Sequence, residues 1–387
     1  MYSHNSHYMS QSKKSNTGPN PLVDALLLIM RLIFGGVFAF SGFVKLIDPL
    51  GFTYKIQEYL TAFGGFFEFF LPLSFLAAIV CATLEMLIGL NLIFTIRIRL
   101  TTFFGLLFML VMTPLTLYIA VKNPVSDCGC FGDALIISNT ATFVKNLFLL
   151  LIIGILFFTR EKMHPFFTSA IEWIILLLFV GIGVGIAIHS YRHLPIIDFR
   201  PYKVGVNIPE AMSIPDGYPR DEYEITFIYE KAGIQKEFSL ENYPKNDSTW
   251  IFVDQKATLI TKGYEPPIQN FIIEDENWDD ITDEILSHEG YTYLVISYDV
   301  KSASEKELLN AQKLYNRVIL SKDTKFYALT ASSDSEIEEL RNRTGITYPF
   351  CKSDPTTLKT IIRANPGIVL IKNGTIEAKW NWRDFGW

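Results

Sequence analysis

The chain has 387 residues and a mass of 44.1 kDa, about two to three domains by the usual size relation, and 49% hydrophobic residues against 19% charged ones exclude a disordered chain or a single small soluble domain. The formal charge of −6 is unevenly spread: residues 1–195 carry 12 Lys+Arg against 9 Asp+Glu, and residues 196–387 carry 22 against 31. The two halves are suited to different solvents, and neither has the concentrated basic face that a nucleic-acid module needs.

The first 21 residues, rich in Ser, Asn, His and Lys with Gly18, Pro19 and Pro21 as breakers, read as a disordered cytoplasmic tail. Five apolar segments follow near 22–44, 68–95, 100–121, 142–159 and 167–190. Each is long enough, or nearly so, to cross a hydrocarbon core that needs ~20 helical residues. A cleaved secretory signal is not expected, because the first run starts late and lacks a small-residue cleavage site.

Lys13 and Lys14 precede the first span, Arg97 and Arg99 join the second to the third, and Arg160 and Lys162 join the fourth to the fifth. The positive-inside rule puts these on the cytoplasmic side, so loops 45–67 and 122–141 and the chain after Tyr191 face the other compartment. In a two-membrane bacterium this makes an inner-membrane, multi-pass protein with a cytoplasmic N-terminus and a periplasmic C-terminal half. Within the spans, Arg31 and Glu85 lie roughly 15 and 18 Å from the cytoplasmic end, by the helical rise. Similar depth predicts an Arg31–Glu85 ion pair, either functional or fixing helix register. Pro72 and Pro114 are expected to kink the second and third spans, and Gly181, Gly183 and Gly185 to allow close packing of the fifth.

The second outer loop carries the most reactive stretch, Asp127-Cys128-Gly129-Cys130-Phe131-Gly132-Asp133. Two of only four cysteines stand here with one residue between them, and glycine is the residue best able to turn the backbone in so small a ring. A disulfide closed this way is relatively oxidising and readily exchanged, so a dithiol/disulfide pair is the functional reading. A half zinc site and an inert cross-linked turn are the alternatives. Asp127 and Asp133 disfavour a thiolate, and Lys122 or Lys145 would compensate. Cys81 reads as packing within the second span, and Cys351 as a small buried strand residue or, alternatively, a resolving thiol.

Arg31-Leu32-Ile33-Phe34-Gly35-Gly36-Val37-Phe38-Ala39-Phe40-Ser41-Gly42-Phe43-Val44-Lys45-Leu46-Ile47-Asp48-Pro49 resembles the opening of DoxX-family membrane proteins. The Cys-Gly-Cys-Phe-Gly loop followed by Lys145-Asn146 is similar to the MauE branch of that family, and the likeness covers 22–160. It implies a four-helix membrane core with a redox-associated role, either in disulfide formation as in methylamine dehydrogenase maturation or in thiosulfate:quinone chemistry. By that resemblance Cys128 and Cys130 are the catalytic dithiol, with Arg31, Ser41, Lys45, Asp48, Glu85, Lys145 and Asn146 in supporting positions. No metal and no certain cofactor are implied, and a quinone is the candidate electron acceptor.

After the fifth span and a Pro-rich connector (161–200), the runs 222–230, 236–240 and 248–254 read as a small antiparallel β unit within 201–289. The acidic residues around Trp278 lack EF-hand spacing and read as a solvated loop and helix start, with calcium binding as the alternative. From 290 to 387 strands alternate with helices and end in a hairpin turning at Asn373-Gly374. This α/β segment resembles a thioredoxin-like fold of the membrane-tethered kind, with Asn365-Pro366 at the cis-proline position and Tyr348-Pro349-Phe350 before the third helix. Where that family has Cys-x-x-Cys the chain reads Asp299-Val300-Lys301-Ser302-Ala303-Ser304, so the domain is expected to lack a dithiol. It is expected either to bind a partner peptide through the Asn365-Pro366 loop or to serve only in packing.

The expected partners are thus the lipid bilayer and periplasmic protein clients. The leading function is thiol/disulfide exchange through the loop pair, the alternative is a non-catalytic membrane scaffold, and transport is disfavoured for want of an internal repeat.

Overall fold

The structure, a computed structural model, describes residues 21–125, 127–245 and 247–387. The tail expected over 1–21 lies outside these residues except for Pro21. The chain divides into two compact units, Met1–Tyr191 with Pro195–Ile197, and Arg192–Leu194 with Asp198–Trp387.

In the first unit, α1 (Pro21–Ile47) begins with a proline preset for a first helical turn, and Asp24 and Lys45 at its two ends complement the helix dipole. A short helix, α2 (Pro49–Phe63), follows at once. Asp48 caps it by accepting the Gly51 N–H at 2.9 Å, and Pro49 is its first residue. A 3₁₀ stretch, Gly65–Leu73, leads into α3 (Ser74–Ile93). Pro72 lies in that stretch, ahead of the α-helical ladder, so it ends the 3₁₀ run instead of kinking α3. Thr95 and Arg97, both with positive φ, turn the chain into α4 (Ile98–Lys122), which contains Pro114. Ser138 caps α5 (Asn139–Thr159), and α6 (Ser169–Arg192) completes the unit. Among the described residues five helical stretches are long and apolar enough to cross a membrane, so this is a multi-pass membrane unit.

The tightest crossing joins α1 to α3. A Cβ on Gly89 would stand 2.2 Å from the Ala39 nitrogen, and one on Gly42 would stand 2.3 Å from the Met86 nitrogen. Two backbones meet there because neither glycine has a side chain. Phe34, Phe38, Leu92, Met109, Ile153 and Leu156 fill the space between α1, α3, α4 and α5. The outward faces carry exposed Leu107, Leu110, Leu151 and Leu177, as lipid requires.

In the second unit, α7 (Ile208–Met212) precedes a three-stranded antiparallel sheet of β1 (Glu222–Lys231), β2 (Ile234–Ser239) and β3 (Ile251–Thr261), ordered β2-β1-β3. Ala232 and Gly233, both at positive φ, make its hairpin turn. After α8 (Thr282–Leu286) come β4 (Tyr291–Ile296), α9 (Glu305–Val318), β5 (Thr324–Thr330), α10 (Asp334–Thr344), β6 (Phe350–Lys352), α11 (Pro355–Ile361), β7 (Gly367–Lys372) and β8 (Thr375–Asn381). Their sheet is ordered β6-β5-β4-β7-β8, with β4, β5 and β6 parallel and β7 and β8 antiparallel. The peptide bond Asn365-Pro366 is cis. This is the expected α/β, thioredoxin-like architecture.

The β unit expected over 201–289 is narrower than its sequence limits. Tyr202, Ile208, Ile268, Phe271, Ile273, Ile285 and Leu286 share one core with Leu294, Val369 and Leu358. The segments flanking β1–β3 therefore cover one face of the five-stranded sheet, while α9 and α10 cover the other through Leu308, Ala311, Ile337 and Leu340. The hairpin and β3 stand outside that core.

Candidate functional site

The loop between α4 and α5 holds Cys128 and Cys130 with their sulfurs 2.9 Å apart, both as free thiols. Gly129 supplies the turn at φ +65°, a left-handed value that a side chain would strain. The loop is clamped from several helices. The Tyr59 hydroxyl of α2 donates to the Cys128 carbonyl at 2.7 Å, and Lys55, one turn earlier, reaches Asp127 at 3.2 Å. Asp127 in turn accepts the Gly129 N–H at 2.7 Å. From α1, Ser41 Oγ lies 2.5 Å from the Cys130 carbonyl oxygen and 2.7 Å from Glu85 Oε1 of α3. Lys45 Nζ meets the other Glu85 oxygen at 2.6 Å, and both side chains are buried. Lys145 of α5 sits 4.5 Å above the Phe131 ring.

The electrostatics separate the two sulfurs. The Cys130 thiol is lowered to about 6, first because Cys128 hydrogen-bonds to its sulfur; burial opposes this, and Lys145 and Lys45 support it. Cys128 is raised far above the ordinary thiol value by the same hydrogen bond, by burial and by the charge on Cys130. One proton is thus shared by the couple, which carries a single negative charge near neutrality. Burial on its own lowers Lys55, but its bond to Glu58 and the charge of Asp127 outweigh that and leave it raised. The Asp127 charge that would oppose a thiolate is accordingly met by Lys55.

The expected Arg31–Glu85 pair does not form. Arg31 donates to the Leu92 and Ile93 carbonyl oxygens at 3.0 and 2.9 Å and to Thr95 Oγ1, capping the end of α3. Glu85 instead faces Ser41 and Lys45. Depth along each span was equal, but α1 and α3 are set in register by Gly42 against Met86, which places Glu85 about ten residues, roughly 15 Å, along α1 from Arg31. Asp48 caps α2. Asn146 donates to Thr116 Oγ1 at 3.2 Å and joins α5 to α4, one helix turn deeper than the Thr142 level. Sequence reading missed Lys55 and Tyr59, although Asp48-Pro49 is a helix-start signal and places these two on one face, four residues apart.

In the second unit, the segment 299–304 is held by Asn365. Its Nδ2 donates to the Asp299 carbonyl at 2.7 Å and to Ser302 Oγ at 3.0 Å, and its Oδ1 accepts from Ser297 at 3.1 Å. Cys351 is buried within β6, where burial pushes its thiol up to about 12. The acidic stretch around Trp278 folds as a turn in which Asp275 accepts from the Asn277 and Asp279 N–H groups, while Glu276 pairs with Arg341. Among the described residues no group of three or more His, Cys, Asp or Glu gathers into a metal-binding cluster.

These features define a membrane protein with a dithiol loop at the end of a helix bundle and a thioredoxin-like α/β domain. Residues 23–159, the unit that carries the loop pair, match the family described as methylamine utilisation protein MauE. Residues 223–262, which hold β1–β3, match a domain of unknown function, DUF8463. A solved structure, the thioredoxin domain of a thiol-disulfide oxidoreductase from Bacteroides vulgatus, aligns at 16% identity over 28% of this chain and 81% of its own, with a TM-score of 0.24. No curated protein matches the chain. The membrane half is thus MauE-like.

Proposed function

We propose that this protein exchanges disulfides with proteins of the periplasm through Cys128 and Cys130, as an inner-membrane protein with its N-terminus in the cytoplasm. The observation that carries the reading is the adjacency of two sulfurs of opposite acidity, 2.9 Å apart on a loop clamped by three helices. The oxidised loop acts on a client dithiol. A client thiolate attacks Cys128, and Cys130, the better leaving group, departs as the thiolate. The second client thiolate then attacks the client sulfur of the mixed disulfide and releases Cys128, which takes up a proton. The client ends as a disulfide and the loop as a dithiol. Two electrons and two protons then pass to a lipid-soluble quinone, the acceptor class of this reading, which leaves as quinol while the loop disulfide re-forms.

Trapping tests the reading. A Cys130→Ser chain keeps the Cys128 thiol, which by the reverse exchange attacks the disulfide of an oxidised client, releases one client sulfur as thiolate and stays joined to the other as a reducible adduct that no loop thiol resolves, whereas a double Cys128→Ser/Cys130→Ser chain collects none. Equal adducts in both chains would remove it.

A second reading, a non-catalytic scaffold, is supported by the second unit. Asn365 and Ser302 stand where a thioredoxin pair would act, and the Asn365-Pro366 loop is left to bind an extended peptide. Partner capture that survives loss of both loop cysteines would favour it.

A further inference from the structure

The buried Lys45–Glu85 pair lies under the loop, and it is connected to the loop instead of being closed on itself. Ser41 is the connection, because its hydroxyl stands between Glu85 Oε1 and the Cys130 carbonyl. A hydroxyl has one proton, so it serves one of these acceptors at a time. Lys45 holds the far carboxylate oxygen and also lies 4.9 Å from the Phe52 ring, which fixes its ammonium from the α2 side. Three helices therefore bring charge to Cys130, α1 with Lys45, α3 with Glu85 and α5 with Lys145, while α2 meets the loop at Asp127 and Cys128 through Lys55 and Tyr59.

We propose that Lys45 and Glu85, linked to Cys130 through Ser41, are positioning residues that set how readily Cys130 gives up its proton, Lys45 favouring the thiolate and Glu85 restraining it. This deepens the exchange reading and rests on it for its biological meaning, although the effect on the thiol is measurable without any client. An ion pair that merely fixes helix register has no need to meet the loop. This one meets it through the Ser41 hydroxyl, which contacts both the loop carbonyl and the carboxylate. The two charges act on Cys130 with opposite signs, Lys45 lowering and Glu85 raising its pKa. The groups that also face the couple are Cys128, Lys145, Tyr59, Lys55 and Asp127, and none of them is substituted when the pair is altered.

The test is a pH titration of thiolate absorbance on the full chain, reduced, in detergent, in a Cys81→Ser/Cys351→Ser background. Near pH 6, Lys45→Met is expected to cut the thiolate population about tenfold, the effect of one lost neighbouring charge, while Glu85→Gln increases it. Lys45→Arg keeps the charge and is expected to restore the wild-type curve. Ser41→Ala is expected to loosen the loop and weaken the Glu85 effect. Opposite shifts support the proposal, because structural damage would move both variants the same way. Shifts of one sign, or unchanged curves in folded variants, would overturn it. A normal set of shifts with no client adducts would instead leave this inference standing and remove the exchange reading.

Discussion

The Lys55 side chain lies across the face of Gly129, where a Cβ built on that glycine would come within 2.8 Å of its Cγ. The same lysine reaches Asp127 and Glu58, so the glycine, the turn and the charge that balances Asp127 occupy one small space. Gly129→Ala therefore has two costs. The left-handed backbone at φ +65° costs an L residue about 1–2 kcal/mol, and Lys55 must move off Asp127. The expected outcome is a folded bundle whose loop thiols react at least tenfold more slowly with a small alkylating agent, read by mass spectrometry after timed quenching.

The pH dependence of that reaction follows from the couple. The reactive species is the thiolate, and the folded loop lowers Cys130 to about 6. Reactivity should therefore rise with pH through about 6, falling about tenfold per unit below it, and then level off. The second sulfur, raised by its neighbour, adds nothing until far more alkaline conditions. A single rise centred on the ordinary free-thiol value would contradict the arrangement.

Arg31 has a different role from the one expected in sequence. Its guanidinium satisfies the Ile93 carbonyl at the end of α3 and adds a donor to the Leu92 carbonyl, which also accepts backbone N–H groups. Arg31→Met should destabilise the helix bundle by about 1–3 kcal/mol, the cost of leaving the Ile93 carbonyl unpaired. Thermal unfolding in detergent measures that loss, and the reactivity of the loop thiols in the surviving folded fraction should not change.

In the second unit Asp198 lies between two buried cations. It accepts from Arg200 at 2.7 and 2.9 Å and from Lys379 at 2.8 Å. Burial raises its carboxyl, yet Arg200 and then Lys379 outweigh that, so the folded value lies below the ordinary carboxylate range. A lowered acid contributes stability above its unfolded value and loses it as pH falls through the folded one. Burial and then the Arg200 charge lower Lys379 to about 7, so Asp198→Asn should cost about 3–5 kcal/mol chiefly by leaving the buried Arg200 charge uncompensated. Faster hydrogen exchange across β8 and earlier proteolysis of this unit would report it.

How much of this was legible in the sequence depended on whether a pattern or a register decided the matter. The five spans follow from unbroken apolar length, and the Cys-Gly-Cys spacing by itself marks the loop. The α/β alternation after 290 likewise predicted the order of strands and helices in the last sheet. The partner of Glu85 did not follow, because helix depth leaves the offset between α1 and α3 undetermined, and that offset is fixed by where Gly42 and Gly89 let the backbones touch. Nor did the role of 263–288, whose apolar residues Ile268, Phe271 and Ile273 follow neither helical nor strand spacing because they cover a sheet face as irregular chain.

The most direct test of the central claim is the state of Cys128 and Cys130 in intact membranes, fixed by rapid acid quenching and differential alkylation. The account predicts a mixed population in which the oxidised share falls with a membrane-impermeant reductant and returns on its removal, while the buried Cys351 stays reduced throughout. A pair that remains wholly reduced and unlabelled under every condition would contradict it.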